Sequence, residues 1–184
     1  MQKSLKILFF HNTLPEYRIG WFRNLAQNAD VQFVFTNEQL NKKEYGFTIE
    51  YEKIKDLKCK FLLDGKQGIK DLKQIMGDSM RYDFVELPPI DSLREVIYSA
   101  YIVYVCKKKN IKIGYFWEKW EAPWEKQPLK RRVKNLILRV IPGLIYKRAD
   151  VIFSVGRKNR EYFISNGVKE KKIVWIPDVS ETPD

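Results

Sequence analysis

KRADVIFSVGRKNREYFISNGVKEKKIVWIPD, running from Lys147 to Asp178, holds one complete strand-helix-strand unit and decides the fold class. Val151–Val155 is a short apolar run with β-branched residues, the pattern of a strand. Arg157–Asn166 reads as a helix, and Gly167 stands where a helix C-terminus takes a left-handed residue. Lys172–Ile176 is a second strand, closed by Pro177. Two strands joined through a helix are parallel neighbours, because such a crossover is right-handed and lays the helix on one face of the sheet.

Upstream, the same alternation continues to the start of the chain. Leu5–Phe10 predicts a strand, the turn-rich His11–Pro15 a loop, and Tyr17–Asn28 a helix with Trp21, Phe22 and Leu25 on one face. Val31–Thr36 is a second strand. Short strands are expected at Thr48–Tyr51 and Lys58–Leu63, then a helix over Gln67–Asp78 with Ile69, Leu72 and Met76 on one stripe. Tyr82–Leu87 is a strand that stops at Pro88-Pro89. Ser92 and Glu95 have capping-box spacing ahead of an apolar helix, Leu93–Lys109, which predicts burial against a sheet. Ile111–Trp117 is a strand and Leu129–Ile141 a basic amphipathic helix. Pro142-Gly143 is expected to interrupt it before a further turn at Leu144–Arg148. The expectation is one Rossmann-like, three-layer α/β domain with a mostly parallel sheet, its ligand edge at the strand C-termini.

The 184 residues suit a single domain. A net charge of +11 favours phosphate-bearing partners without choosing among nucleic acid, anionic lipid and phosphorylated small molecules. No helix-turn-helix, RNP-like or zinc pattern supports nucleic-acid binding. The lone histidine and the distant Cys59 and Cys106 cannot assemble a zinc site, so no metal is expected, and free thiols suit a reducing cytoplasm. No signal peptide is visible. The longest nearly apolar run, Val96–Cys106, falls short of the roughly 20 residues a bilayer span needs.

Two stretches carry a family resemblance. LKILFFHNTLPEYRIGWFRNLA, Leu5–Ala26, resembles the opening of bacterial glycosyltransferase family 4 enzymes, the retaining "group 1" transferases. The Lys147–Asp178 stretch resembles their ADxII strand, helix, GV turn and Pro-Asp junction. The resemblance implies a GT-B fold of two Rossmann-like lobes. Residues 1–176 would be the N-terminal, acceptor-side lobe and residues 177–184 the linker toward a C-terminal donor-binding domain that this chain lacks. It implies transfer of a sugar from a nucleotide-sugar to a glycan or lipid-linked acceptor, with no cofactor held by this chain and inactivity of the lobe alone. The family's donor motif, two Glu separated by seven residues, belongs to the other lobe. The same spacing at Glu44 and Glu52 is read as accidental.

Three segments are candidate sites. The loop His11–Arg18 leads into a helix N-terminus, a place for anions. It has no glycine before Gly20, so Arg18 would supply charge, with His11, Asn12, Glu16 and Tyr17 offered to acceptor hydroxyls. The alternative is that Glu16 merely suits the first helical turn and His11 packs. The second is Phe116–Trp124, where Trp117 and Trp120 suit sugar faces and Glu121 sugar hydroxyls. Glu118 is placed for acid or base work on the acceptor, against the alternative of a loop pinned by aromatic packing. The third, Lys126–Arg148, has eight basic residues and no acid. Lys130, Arg131, Arg132, Lys134 and Arg139 would face an anionic membrane, or simply solvent. Localisation is expected to be cytoplasmic, peripheral at the inner face of the plasma membrane. A non-catalytic, membrane-recruiting half of a split transferase is the alternative, and a basic nucleic-acid-binding domain the remote one.

Overall fold

The computed structural model describes residues 4–37, 51–63, 65–117 and 141–176. They hold a seven-stranded, wholly parallel sheet of order β3-β2-β1-β4-β5-β6-β7. The strands are β1 (Lys6–His11), β2 (Asp30–Phe35), β3 (Cys59–Phe61), β4 (Phe84–Leu87), β5 (Lys112–Phe116), β6 (Val151–Ser154) and β7 (Ile173–Trp175). The helices are α1 (Ile19–Asn28), α2 (Gly65–Gly77), α3 (Leu93–Lys108), α4 (residues 141–148) and α5 (Arg157–Ser165).

The chain adds strands leftward from β1 to β3, then crosses back and adds rightward from β4 to β7. Right-handed crossovers therefore place helices on one face for the first leg and on the other for the second. Phe22 of α1, with Ile54 and Leu57, packs on Ile7, Phe9, Val31, Phe33 and Phe35. Leu72 and Met76 of α2, Ile102 and Cys106 of α3, Tyr146 of α4 and Phe163 of α5 pack on the opposite face, against Leu8, Val85, Ile113 and Ile152. β1 is apolar on both faces, with Ile7 and Phe9 on one and Leu8 and Phe10 on the other, as a two-sided parallel sheet requires.

Three expectations need correction. Pro142 and Gly143 are themselves helical, while the helix expected at Leu129–Ile141 lies, up to residue 140, outside the described residues. Both residues lie inside α4, where a Cβ at Gly143 would stand 3.5 Å from the Asn166 carbonyl oxygen, an ordinary contact. The inner stripe of α2 is Gly68, Leu72, Ile75 and Met76, and Ile69 is exposed. Gly68 approaches the Leu63 carbonyl and the Tyr98 hydroxyl so closely that no side chain fits, which turns Ile69 outward. Tyr51, the expected end of a strand, begins a 3-10 turn, Tyr51–Ile54. As expected, α3 is buried against the sheet, on its inner face. Ser92 does cap α3, accepting from the Glu95 N–H, but Glu95 returns the contact to the Ser92 hydroxyl (2.7 Å). Gly167 takes φ +80°, as its place after α5 predicts.

Candidate functional site

The direction of strand addition reverses between β1 and β4, and the crevice of an open parallel sheet lies outside the strand C-termini at such a point. His11 ends β1, and the Pro88–Ser92 connection follows β4. Trp117 follows β5. The fold thus brings His11, Arg18 and Trp117 to one edge, from segments separated by about a hundred residues.

His11 is buried, with Nδ1 2.7 Å from the Thr13 carbonyl oxygen. That contact makes Nδ1 the protonated nitrogen and leaves Nε2 as an acceptor, buried and without a partner. Burial, with the Arg18 charge adding to it, pulls the imidazole pKa down to about 3. His11 is therefore a neutral hydrogen-bond acceptor at physiological pH and too weak a base to deprotonate a hydroxyl. The Trp117 ring meets it edge-on at 6.0 Å between centroids. Asn159, at the start of α5, donates to the Trp117 carbonyl (2.8 Å) and fixes that residue.

The Arg18 guanidinium lies over both the Tyr17 ring (5.5 Å) and the Phe116 ring (5.6 Å). Trp21 stacks beside Phe116 at 6.3 Å. These cation–π contacts hold the guanidinium at the edge. Tyr17 is half exposed.

The other sequence candidates in this loop face elsewhere. Asn12 is buried, and its Oδ1 accepts from the Thr13 N–H (2.8 Å), so it shapes the turn. Glu16 pairs with Lys53. That pair borders an open groove of about 480 Å³ along α1, lined also by Arg23, Asn24 and Gln27, which includes neither His11 nor Trp117. Glu118, Trp120, Glu121, Lys130, Arg131, Arg132, Lys134 and Arg139 lie outside the described residues.

At α3, the helix N-terminus that follows the switch point is filled by the chain itself. Glu95 is buried there, bonded to Ser92 and 3.5 Å from the Thr36 hydroxyl. An incoming phosphate would meet that carboxylate, which leaves Arg18 and the start of α1 as the cationic part of the edge.

Sequence reading missed Glu86. It lies in β4, in register with Phe9 and Gly114, and is 1% exposed among Phe84, Phe9 and Phe116 on the α1 face. No well-formed hydrogen bond satisfies either carboxyl oxygen, and the Phe116 backbone N–H is only a weak neighbour. Burial pushes its pKa well above the usual carboxylate range, and the Phe116 backbone N–H opposes this only in part. The signal was present: one acid inside the apolar run FVEL of a central strand.

No family model matches the sequence, and no curated protein aligns with it. Solved structures do. The apo form of a lipopolysaccharide outer core galactosyltransferase, WaaB, superposes with a TM-score of 0.54 at 15% identity, covering 92% of this chain and 44% of that one. Anabaena HepE in complex with UDP-glucose gives 0.62 at 10%, covering 94% and 43%. UDP-N-acetylglucosamine 2-epimerase from Rickettsia bellii gives 0.56 at 15%, covering 94% and 44%. The fold is a Rossmann-like domain of the GT-B type. This chain spans less than half the length of each of those proteins. Among the described residues, no helix is long and apolar enough to cross a membrane.

Proposed function

We propose that this domain is the N-terminal, acceptor-side lobe of a retaining glycosyltransferase of family 4 type. It would act on a glycan or lipid-linked acceptor and be inactive without a nucleotide-sugar-binding lobe. The observation that carries the reading is the edge itself. A cation held by aromatic rings (Arg18), an indole (Trp117) and a neutral acceptor (His11) converge at the switch point. Indole faces suit sugar C–H surfaces, and Arg18 suits a phosphate on the acceptor or on an incoming donor. The likeness to both transferases and epimerases supports sugar chemistry of the GT-B type in general. The Leu5–Ala26 and Lys147–Asp178 stretches favour the transferase.

In this reading Glu118 acts on the acceptor, and Trp120 and Glu121 extend the sugar-facing wall. Lys130, Arg131, Arg132, Lys134 and Arg139 meet an anionic membrane. The test is tryptophan fluorescence of the 184-residue chain titrated with bacterial oligosaccharides and, separately, with UDP-glucose. The reading expects quenching by an oligosaccharide that Trp117→Ala removes, a weak or absent response to UDP-glucose, and no transfer by the chain alone. Turnover by this chain, or tight UDP-glucose binding with no response to any oligosaccharide, would overturn it.

A further inference from the structure

The groove beside Glu16 and Lys53 does not stop halfway along α1. Its residue Gln27 also lines a second open groove, of about 410 Å³, which runs on past Asn28 to Asp30 and Val31 at the start of β2. The two grooves meet at Gln27 and form one path along α1. From Ile19 to Gln27 that path covers about 12 Å at the rise of an α-helix. One end lies at Glu16, next in sequence to Tyr17 and Arg18 of the strand-end site, and the other at the N-terminal edge of the sheet.

The walls of this path are matched charges and amides. Glu16 pairs with Lys53, Arg23 with Asp56 (2.8 Å) and Asp30 with Lys58 (2.7 Å). Arg23 also donates to the Lys53 carbonyl oxygen (2.6 Å), which fixes the 3-10 turn Tyr51–Ile54 against α1 as the far wall. The hydrogen bond from Arg23 holds the Asp56 carboxyl below its ordinary pKa, and that from Lys58 does the same for Asp30, so both pairs stay ionised. Three cations thus meet three anions, on a chain whose net charge is +11. Ion pairs alone would serve only to staple the turn to the helix. The exposed amides Asn24 and Gln27, which line the path between them, have no such use.

We infer that the α1 path binds a neutral, linear glycan. The lining selects this class. A nucleic acid or a phosphorylated ligand needs cations, and each of the three here is already held by a carboxylate that a phosphate would have to displace. A lipid or an apolar protein face needs large exposed apolar side chains. Ile19 is the only large apolar residue of the lining that is not buried. Sugar hydroxyls both donate and accept. They can take the N–H groups of Asn24 and Gln27 and give to the amide oxygens and to the lone pairs that an ion pair leaves open on its carboxylate. The elongated, open shape selects a chain over a single sugar. Tyr17, half exposed and covered by the Arg18 guanidinium at 5.5 Å, follows Glu16, so a glycan in the path leads toward the strand ends. That the bound chain is the distal part of the acceptor rests on the transferase reading; the match between the path and a neutral glycan does not.

The test applies the 184-residue chain to an array of bacterial oligosaccharides of graded length, in neutral and phosphorylated forms, with calorimetry on those that bind. The inference expects an affinity for neutral glycans that rises with their length. Asn24→Ala with Gln27→Ala should weaken the longest neutral glycan about tenfold, the size of two lost hydrogen-bonding amides, and leave disaccharides unchanged. Both positions are exposed on α1, and alanine is the best helix former, so the double variant keeps the fold. An unchanged circular dichroism spectrum checks this.

Binding that ignores glycan length, a preference for phosphorylated forms that the double variant removes, or no binding anywhere on the array would each overturn the inference. The same titrations with Trp117→Ala separate it from the strand-end reading. If Trp117→Ala abolishes binding of short glycans while the double variant changes nothing, the α1 path fails and the strand-end site stands. If the double variant removes the gain with length while Trp117→Ala binds every glycan as the wild type does, the strand-end site fails and the path stands.

Discussion

The two buried groups at the switch point predict a distinctive dependence of stability on pH. His11 takes up a proton near 6.5 when unfolded and near 3 when folded. Between those values the unfolded chain binds more protons, so stability rises with pH by up to about 1.4 kcal/mol per unit. Across the whole interval the effect is on the order of 5 kcal/mol, comparable to the total stability of many domains.

Glu86 acts in the opposite sense. Its folded pKa is raised above the ordinary 4.5, so the folded chain holds the extra proton. Its contribution is complete below 4.5 and is lost as pH rises toward the folded value, again by up to about 1.4 kcal/mol per unit. Above 4.5, for as long as Glu86 stays protonated in the folded chain, its slope opposes that of His11. Glu86→Gln keeps the shape and removes the titration. Urea unfolding of both proteins from pH 5 upward should give curves whose difference shifts against the wild type as pH rises, by at most about 1.4 kcal/mol per unit. All other titrating groups cancel in that difference. Parallel curves would mean that Glu86 is ionised in the folded state, and would refute the account of a proton held by an apolar layer.

Gly114→Ala should destabilise by about 1–3 kcal/mol in the same assay, because its new methyl would meet both the Glu86 carboxyl and the Phe84 ring. Gly167→Ala should cost about 1 kcal/mol, since φ is +80° and the Lys147 side chain lies against the site. Ser92→Ala, read by thermal unfolding, should cost about 1 kcal/mol through loss of the α3 cap. Burial pushes the Cys106 thiol up to about 12 and the Cys59 thiol up to about 11. Iodoacetamide near neutral pH should therefore label both slowly, with Cys106 reacting only on unfolding.

What the sequence revealed, and what it hid, follow from the same physics. Alternating apolar runs and turn residues are local signals, so β1 to β7 and α1, α2, α3 and α5 were legible to within about two residues, whereas α4 was read as a break and a turn. The strand-end loops followed, because a parallel sheet puts every β-to-α turn on one edge. The site's internal geometry did not follow. His11 closes β1 and Trp117 follows β5, yet which nitrogen of His11 accepts depends on a carbonyl two residues away. Arg18 was read as a charge for ligands, but its placement comes from the Phe116 ring, a contact across nearly a hundred positions that no local pattern encodes. Glu86 shows the limit most clearly. Strand periodicity treats it as one polar residue on a buried face, a defect in the pattern. Only the register that sets it opposite Gly114 shows how the defect is accommodated.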